Sequence, residues 1–396
     1  MSKTKLLLIL VLVVAVVTTL AILPGCKTTT TTTAAAETTA AAETTAAAET
    51  TAAPTTTAAS TETTAATTES TEPAGGYPFY EKMREAAKAG KEYPDAPAKG
   101  FSLAFTNIMG GIPFCENVWK SVQDNWKLAG GDPDKLYYAD NQYDATIGLK
   151  NADIMLAKHP NVLINFQFDS KVNSIIATKF GAANIPIIAV DVPTPGAPFM
   201  GVNNFKVAYM AGQEAIKLVE QKGGIDKIDN IILMQMPSGG EVTMLRSEGF
   251  YQAFVDKYGA DKVDPKTIRA DGGAGEAEQA NKAMTDVLSK IPKAKTCVLT
   301  SINEETMSGI ISAIQTAGRW DPENWIIVTQ GCDAVGQQQI RDGLTDAAIA
   351  YFPEHYGEYL IPGAVALMHN QPVPPFMYVE NAVITKDNID QYYPKK

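Results

Sequence analysis

The sequence predicts an α/β protein with two doubly wound parallel-sheet lobes, preceded by a disordered stalk rich in Thr and Ala. From about residue 100 onward, apolar strand-like runs alternate with helical stretches. The runs are continuously apolar, which is typical of parallel strands covered by helices on both faces. They number about ten, more than one open twisted sheet usually holds in a chain of this size, which favours two lobes.

The first 25 residues have the form of a secretory signal peptide. Lys3 and Lys5 precede an apolar run over residues 6–23. That run is also about long enough to cross a bilayer, so an uncleaved anchor is the alternative. Its end, Leu23-Pro24-Gly25-Cys26, resembles the lipobox of bacterial lipoproteins. This resemblance implies cleavage before Cys26, lipidation of Cys26 and an extracytoplasmic protein anchored to the outer face of the cell membrane.

Residues 26–76 consist almost entirely of Thr, Ala, Glu, Ser and Pro, and the hexad Ala-Ala-Ala-Glu-Thr-Thr recurs three times between Ala34 and Thr51. Without aromatic or large apolar side chains, such a segment cannot offset the entropy of ordering, so it predicts a disordered linker. Residues 77–99 then form a leading segment, helical from Tyr80 to about Lys91.

The rest of the chain predicts strands and helices in alternation. Strands are predicted at 101–107, 135–140, 162–168, 186–192, 199–203, 230–236, 296–302, 325–332 and 347–352. Helices are predicted at 144–158, 207–221, 241–258, 276–291 and 304–318. Asp, Asn, Ser or Gly stands at nearly every helix start, as N-capping requires.

Composition and motifs exclude several functional classes. Lys and Arg number 33 against 44 Asp and Glu, a net charge of −11, which argues against nucleic acid as a partner. Four scattered cysteines and three histidines fit neither a disulfide scaffold nor a zinc site, so we expect no metal, no other cofactor, and free thiols at Cys115 and Cys332. The chain contains no nucleophile elbow, phosphate loop or dinucleotide fingerprint. It is therefore not predicted to be an enzyme, although an enzyme on a doubly wound fold is the least favoured alternative.

Candidate binding residues follow from the fold, because ligands of doubly wound sheets bind beyond the carboxyl ends of the strands. Amides, carboxylates and aromatic residues stand there, with one arginine nearby. The candidates are Phe114, Asn165, Gln167, Asp191, Arg246, Asn303, Asp333 and Tyr351. Carboxylates and amides hydrogen-bond hydroxyl groups, and rings cover C–H faces. The set predicts a site for a small hydroxyl-rich molecule.

Short segments of the chain resemble a known family. They are 189–191 (Ala-Val-Asp), 201–204 (Gly-Val-Asn-Asn), 246–250 (Arg-Ser-Glu-Gly-Phe), 303–304 (Asn-Glu), 313–318 (Ala-Ile-Gln-Thr-Ala-Gly) and 331–333 (Gly-Cys-Asp). In order and spacing they are similar to the type I periplasmic sugar-binding proteins of ABC importers, the ribose and galactose group. The resemblance implies the type I periplasmic-binding-protein fold, with a three-crossover hinge joining an N-terminal lobe (100–203 plus 353–376) to a C-terminal lobe (204–352 plus 377–396).

The same resemblance implies a solute-binding lipoprotein that captures a monosaccharide or polyol between its lobes and delivers it to the permease of an ABC importer. We expect a monomer. A sensory receptor of the same fold, feeding chemotaxis or signalling, is the alternative, because no feature of the chain separates the two roles.

The resemblance also implies individual roles. Asp191, Asn303 and Asp333 would hydrogen-bond sugar hydroxyls, Arg246 a ring or anomeric oxygen, and Phe114 would stack on the sugar. Asn165 or Gln167 would stand where the family has a strand-end asparagine, and Tyr351 would stand where it has a hinge-side glutamine. The chain departs from the family at three places. Val192 stands where the family has an arginine, and Cys115 stands where it has a second aromatic residue. The family's stacking ring in the second lobe is lost near residues 271–272, and Phe166, Phe168 and Phe199 are candidate replacements for it.

Each candidate has a structural interpretation as well. Asp191, Asp333 and Asn303 could cap a turn or helix. Arg246 could be an ordinary surface charge. Phe114, just after Pro113, could be a core residue at a helix start.

Overall fold

The computed structural model describes residues 76–395. The predicted signal peptide, the predicted lipidation site Cys26 and the predicted stalk up to residue 75 lie outside the described residues. None of the helices in the described part has the length and apolar composition that a bilayer span requires.

The first sheet contains six strands, in the order β11-β5-β4-β3-β1-β2, all of them parallel to their neighbours. These strands are β1 Leu103–Asn107, β2 Leu136–Asp140, β3 Val162–Asn165, β4 Ile187–Val190, β5 Phe199–Gly201 and β11 Phe376–Tyr378. The helices associated with this lobe are α1 Pro78–Lys88, α2 Pro113–Leu128, α3 Ala145–Ala157, α4 Ser170–Ala182 and α11 Gly357–Met368.

The second sheet also contains six strands, in the order β12-β10-β9-β8-β6-β7, and only β12 runs antiparallel to its neighbour. These strands are β6 Asn230–Gln235, β7 Thr267–Asp271, β8 Cys297–Thr300, β9 Trp325–Gly331, β10 Ala347–Ala350 and β12 Ala382–Thr385. The associated helices are α5 Asn204–Gln221, α6 Glu241–Tyr258, α7 Ala260–Val263, α8 Ala277–Lys290, α9 Glu304–Thr316, α10 Ala334–Arg341 and α12 Ile389–Tyr392.

The central strands explain why the two-lobe prediction was possible. Every residue of β1, β3, β4, β8, β9 and β10 is buried, as continuous apolar runs require. The sheet edges are different: β7 is half-exposed and carries Arg269, and β11 exposes Phe376 and Tyr378. The edge strands β7, β11 and β12 are only partly buried and are absent from the predicted strands, whereas the fourth edge strand, β2, is among them.

The chain passes between the two sheets three times: from β5 to α5, from β10 to α11, and from β11 to β12. In the second crossing Phe352 adopts φ +52°, in the left-handed region that bulky residues rarely occupy. The predicted lobe boundary at residue 376 needs correction. It falls inside β11, which stays paired with β5 as far as Tyr378, so the last crossing lies at residues 379–381.

The leading segment packs against the first lobe, where α1 lies on α11. The Tyr93 hydroxyl donates to Asn125 Oδ1 of α2 at 2.9 Å, and His369 Nε2 lies 2.8 Å from the Pro97 carbonyl oxygen. These contacts attach the segment to the first lobe. Residues 77–99 are therefore part of the folded unit.

Candidate functional site

A cavity of about 70 Å³ lies where the carboxyl ends of strands from both sheets meet. From the first lobe it is lined by Ile108, Ile112, Phe114, Cys115, Tyr143, Phe166, Phe168, Asp191 and Val192. From the second lobe and the second crossing it is lined by Met236, Thr243, Arg246, Ile302, Asn303, Glu304, Glu305, Gln330, Gly331 and Tyr351. Most of these residues stand at a strand end, the expected ligand position in doubly wound sheets.

Asp191 follows β4 and is the first lobe's carboxylate in the cavity. Its φ is +56°, and Gly201 makes room for it, since a Cβ on Gly201 would lie 2.5 Å from Asp191 Oδ1. The Tyr356 hydroxyl donates to Oδ1 at 3.0 Å. Burial raises the pKa of Asp191 to about 6, while Arg246 and the Tyr356 hydrogen bond oppose the rise. Asp191 therefore lines the cavity rather than capping a helix.

Arg246 extends from α6 into the cavity rather than into solvent. Its Nε donates to Asn204 Oδ1 at 2.6 Å, and its Nη1 donates to the Ile302 carbonyl oxygen at 3.1 Å. The guanidinium carbon lies 5.3 Å from the centroid of the Tyr351 ring. These contacts fix the guanidinium in place and, among the described residues, leave Nη2 without a protein acceptor.

Tyr351 and Gln330 hold this arrangement from the second lobe. The Tyr351 hydroxyl donates to Gln330 Oε1 at 2.9 Å, and Gln330 Nε2 donates to the Arg246 carbonyl oxygen at 2.9 Å. Tyr351 therefore belongs to the network around Arg246, next to the second crossing. A ligand that contacts Arg246 is thereby coupled to the segment that joins the lobes.

Phe114 stands at the start of α2 and belongs to a group of rings on the first-lobe side. Its ring centroid is 6.5 Å from that of Phe166 and 6.4 Å from that of Tyr351. Phe168 and Tyr143 also line the cavity, 5.6 Å apart between centroids. Of the three candidate replacement rings, Phe166 and Phe168 reach the cavity. Phe199 instead packs beside Phe376 at the sheet edge.

Two carboxylates of α9, Glu304 and Glu305, line the second-lobe wall beside Asn303. Asn303 Oδ1 caps α9 by accepting from the Thr306 N–H at 2.9 Å, so its predicted capping role is confirmed. Glu304 Oε1 accepts from the Cys332 N–H. Burial and the neighbouring carboxylate of Asp333 raise the pKa of Glu304 well above its usual range and that of Glu305 to about 7.

Three predicted site residues do not line the cavity. Asn165 is buried beneath it, donating to Asn173 Oδ1 at 2.8 Å and to the Thr194 hydroxyl at 2.9 Å. Gln167 is fully buried, and its Oε1 accepts from the Asp169 N–H at 3.2 Å. Asp333 caps α10, with Oδ1 accepting from the N–H groups of Val335 and Gly336 at 2.8 and 3.1 Å. Asn165 and Gln167 therefore have structural roles, and the capping role predicted for Asp333 is confirmed; its carboxylate also lies close to that of Glu305, which does line the cavity.

Sequence reasoning missed other lining residues, chiefly Tyr143, Thr243, Glu304, Glu305 and Gln330. A signal existed for three of them: Glu304 and Glu305 follow Asn303 at a helix start, and Gln330 ends a strand. The three described cysteines, Cys115, Cys297 and Cys332, are buried free thiols, as expected.

We expect the free energy of unfolding of the ligand-free protein to fall as pH rises from about 4 to about 8. The pKa of Asp191 is about 6 and that of Glu305 about 7, so the folded state binds more protons than the unfolded chain in this range. Their stabilising contribution is complete below about pH 4, near the pKa of an ordinary carboxyl group, and is lost as pH passes 6 and 7. Urea unfolding at a series of pH values measures the slope.

Glu305→Gln should flatten that slope above about pH 6, because the neutral amide has no proton to release. Glu278→Gln, which changes an exposed carboxylate of α8, is the matched control and should leave the slope unchanged. An unaltered slope in Glu305→Gln would contradict the assignment of a raised pKa to Glu305.

Together the fold and cavity define a two-lobe protein with a cavity lined by residues of both lobes. A sequence model of the periplasmic binding protein domain matches residues 103–372. The chain therefore belongs to the periplasmic binding protein family, and its fold is the type I fold that the resemblance implied. No curated protein matches the chain significantly.

Solved structures support the same fold. One similar structure is an ABC transporter solute-binding protein from Mycobacterium smegmatis with bound glycerol: 21% identity, 75% of this chain and 98% of that chain covered, TM-score 0.64. A second is an ABC transporter solute-binding protein from Actinobacillus succinogenes 130z with bound D-allose. It is 19% identical to this chain, the match covers 74% of this chain and 99% of that chain, and the TM-score is 0.59. A third is an ABC transporter solute-binding protein from Bacillus halodurans C-125 with bound myo-inositol. It is 17% identical to this chain, the match covers 74% of this chain and 97% of that chain, and the TM-score is 0.59.

Proposed function

We propose that this chain is an extracytoplasmic solute-binding protein that captures a small hydroxylated molecule, a monosaccharide or polyol, and delivers it to an ABC importer. One observation carries the proposal: the cavity is lined by both lobes, with Asp191 on one side and Arg246 on the other. A ligand held by both residues binds the closed form better than the open form, and that difference drives closure.

The lining groups suit hydroxyl groups. The Asp191 carboxylate can accept from a hydroxyl, and Arg246 Nη2 can donate to one. Asn303 retains a second amide N–H and a second lone pair for a further hydrogen bond. Phe114 and Phe166 can cover the C–H faces of a ring. D-allose, glycerol and myo-inositol, bound by the three similar structures, are all neutral and hydroxyl-rich, which supports this ligand class.

The proposed place of action is the outer face of the cell membrane. The lipobox-like sequence ending at Cys26 supports a lipid anchor, and the Thr- and Ala-rich residues 26–76 would separate the binding domain from the membrane. Anchoring keeps the receptor near the permease that would receive its ligand. The role requires capture and release, with no chemical change to the ligand.

A thermal-shift screen of the full-length protein against monosaccharides and polyols tests the proposal. A ligand present at 100 times its dissociation constant should stabilise the folded state by about 2.7 kcal/mol, which raises the melting temperature measurably. Asp191→Asn should weaken the shift, and Glu278→Gln should preserve it. If no sugar or polyol raises the melting temperature, the proposed ligand class is wrong.

A further inference from the structure

The charges of the second-lobe wall are unbalanced. Glu304, Glu305 and Asp333 each place a carboxylate oxygen within 4.8 Å of the others. Across residues 76–395, Arg246 is the one basic side chain that lines the cavity. Apart from Tyr351, the group whose charge acts most on its guanidinium is Asp191 in the opposite lobe. The neighbouring charges that act on Glu304 and Glu305 are themselves carboxylates.

Two of these oxygen atoms accept no hydrogen bond from an N–H group or a hydroxyl in the described structure; the donor within their reach is a proton on Glu305 itself, which can bridge it to Asp333 and which an ammonium group could replace. The two oxygen atoms are Asp333 Oδ2 and Glu305 Oε1, and both atoms are shielded from solvent. Asp333 is only 1% exposed, so its free oxygen cannot be satisfied by bulk water. A buried, unpartnered acceptor is costly, and its cost is removed by a donor that arrives with the ligand. Glu305 lines the cavity, so a donor group placed there can reach its carboxylate.

The rest of the wall also favours a positive group. Phe114, Phe166, Phe168 and Tyr143 line the same cavity. Aromatic rings attract cations through their quadrupole, and they do so most strongly where water is excluded. Rings and free carboxylate oxygens together form the kind of site that binds an ammonium group.

We propose that the ligand of this protein carries a protonated amine in addition to its hydroxyl groups, as an amino sugar or amino polyol does, and that Glu305 and Asp333 bind the ammonium. The inference rests on the proposed function and narrows its ligand class. Asp191 and Arg246 then hold the hydroxyl side of the ligand, and the ammonium N–H groups satisfy the two free oxygens. Asp191 and Arg246 thus bind the hydroxyl groups, whereas Glu305 and Asp333 bind the ammonium group.

A bare divalent cation fits these residues less well. Calcium takes about six to eight oxygen ligands and magnesium a complete octahedron. Here Glu304 Oε1 accepts from the Cys332 N–H and Asp333 Oδ1 accepts from two N–H groups, so these oxygens are already used. Phe114, Phe166 and Phe168, which line the cavity nearby, supply no oxygen. An ammonium group needs only the two free oxygens and the rings.

Titration calorimetry of the full-length protein tests the inference, using pairs that each consist of an amine and its neutral parent sugar or polyol. The pairs are D-glucosamine with D-glucose, D-galactosamine with D-galactose, and sorbitol with its amino analogue. N-acetyl-D-glucosamine serves as the neutral control of similar shape, and calcium and magnesium chloride are tested alone. We expect at least one amine to bind about tenfold or more tightly than its parent, because a charge-assisted hydrogen bond replaces a neutral one. N-acetylation should abolish that advantage.

Glu305→Gln should reduce the ratio of the affinity for the amine to the affinity for its parent several-fold, whereas Glu278→Gln should leave this ratio unchanged. The inference is overturned if every parent sugar or polyol binds as tightly as its amine, or if Glu305→Gln does not change the ratio; the proposed function would then still stand. Binding of a divalent cation without any amine preference would also overturn it. If no amine and no neutral parent binds, the proposed function itself fails.

Discussion

Replacing Arg246 by alanine should reduce ligand affinity roughly 30-fold to several thousand-fold, equivalent to about 2–5 kcal/mol. The substitution removes the guanidinium Nη2 that we propose as the donor to the ligand, together with the hydrogen bonds to Asn204 and Ile302. It also removes the positive charge that opposes the rise in the pKa of Asp191, so that carboxyl would be protonated over a wider pH range. Ligand contacts from both lobes are therefore expected to weaken, those of Arg246 directly and those of Asp191 through its protonation.

The measurement is titration calorimetry with whichever sugar, polyol or amino analogue gives the largest thermal shift. Arg269→Ala is the matched control, since Arg269 lies on the same lobe and pairs with Glu248 at 2.9 Å on an exposed surface. An exposed pair contributes about 0–1 kcal/mol to stability, and the control should bind normally. If Arg246→Ala binds within a few-fold of the unaltered protein, the cavity is not the ligand site.

The sequence could predict the two lobes because burial determines the pattern of the central strands. In β4 and β8, for example, every residue is apolar or small, and both strands are buried on both faces. Three of the four edge strands, β7, β11 and β12, were not predicted in this way. In β7 the sequence Thr-Ile-Arg-Ala-Asp contains only two apolar residues, since one side of the strand meets solvent.

The site was less predictable because a strand end specifies a position but not the direction of a side chain. Asn165 and Asp191 both stand at the carboxyl ends of neighbouring strands. Asn165 nevertheless turns to Asn173 and Thr194 below the cavity, whereas the left-handed backbone at Asp191 directs its carboxylate to Tyr356 and the ligand space. Backbone conformations of this kind depend on tertiary contacts such as the one with Gly201, which lies ten residues further along the chain.

The second lobe depends on an unusually close approach of α5 and α6. A Cβ on Gly212 of α5 would lie 2.7 Å from both the Phe250 carbonyl oxygen and Ala253 Cβ of α6. A Cβ on Gly249 of α6 would overlap the Phe205 carbonyl oxygen of α5. Backbone cannot move aside as a flexible side chain can. Any side chain at position 249 must therefore separate the two helices.

Gly249→Val should destabilise the protein by about 3 kcal/mol or more, the upper part of the range for overpacking, as measured by urea unfolding. Gly181→Ala is the control: Gly181 is an exposed position of α4 with open space around it, so alanine should stabilise by about 0.5–1 kcal/mol. Gly249 lies one helical turn after Arg246, and Asn204 begins α5. Separating the helices should therefore also break the 2.6 Å hydrogen bond between Arg246 and Asn204 and weaken ligand binding in the fraction that remains folded. A Gly249→Val protein with normal stability would show that the two helices can move apart without cost, contrary to the close packing of their backbones.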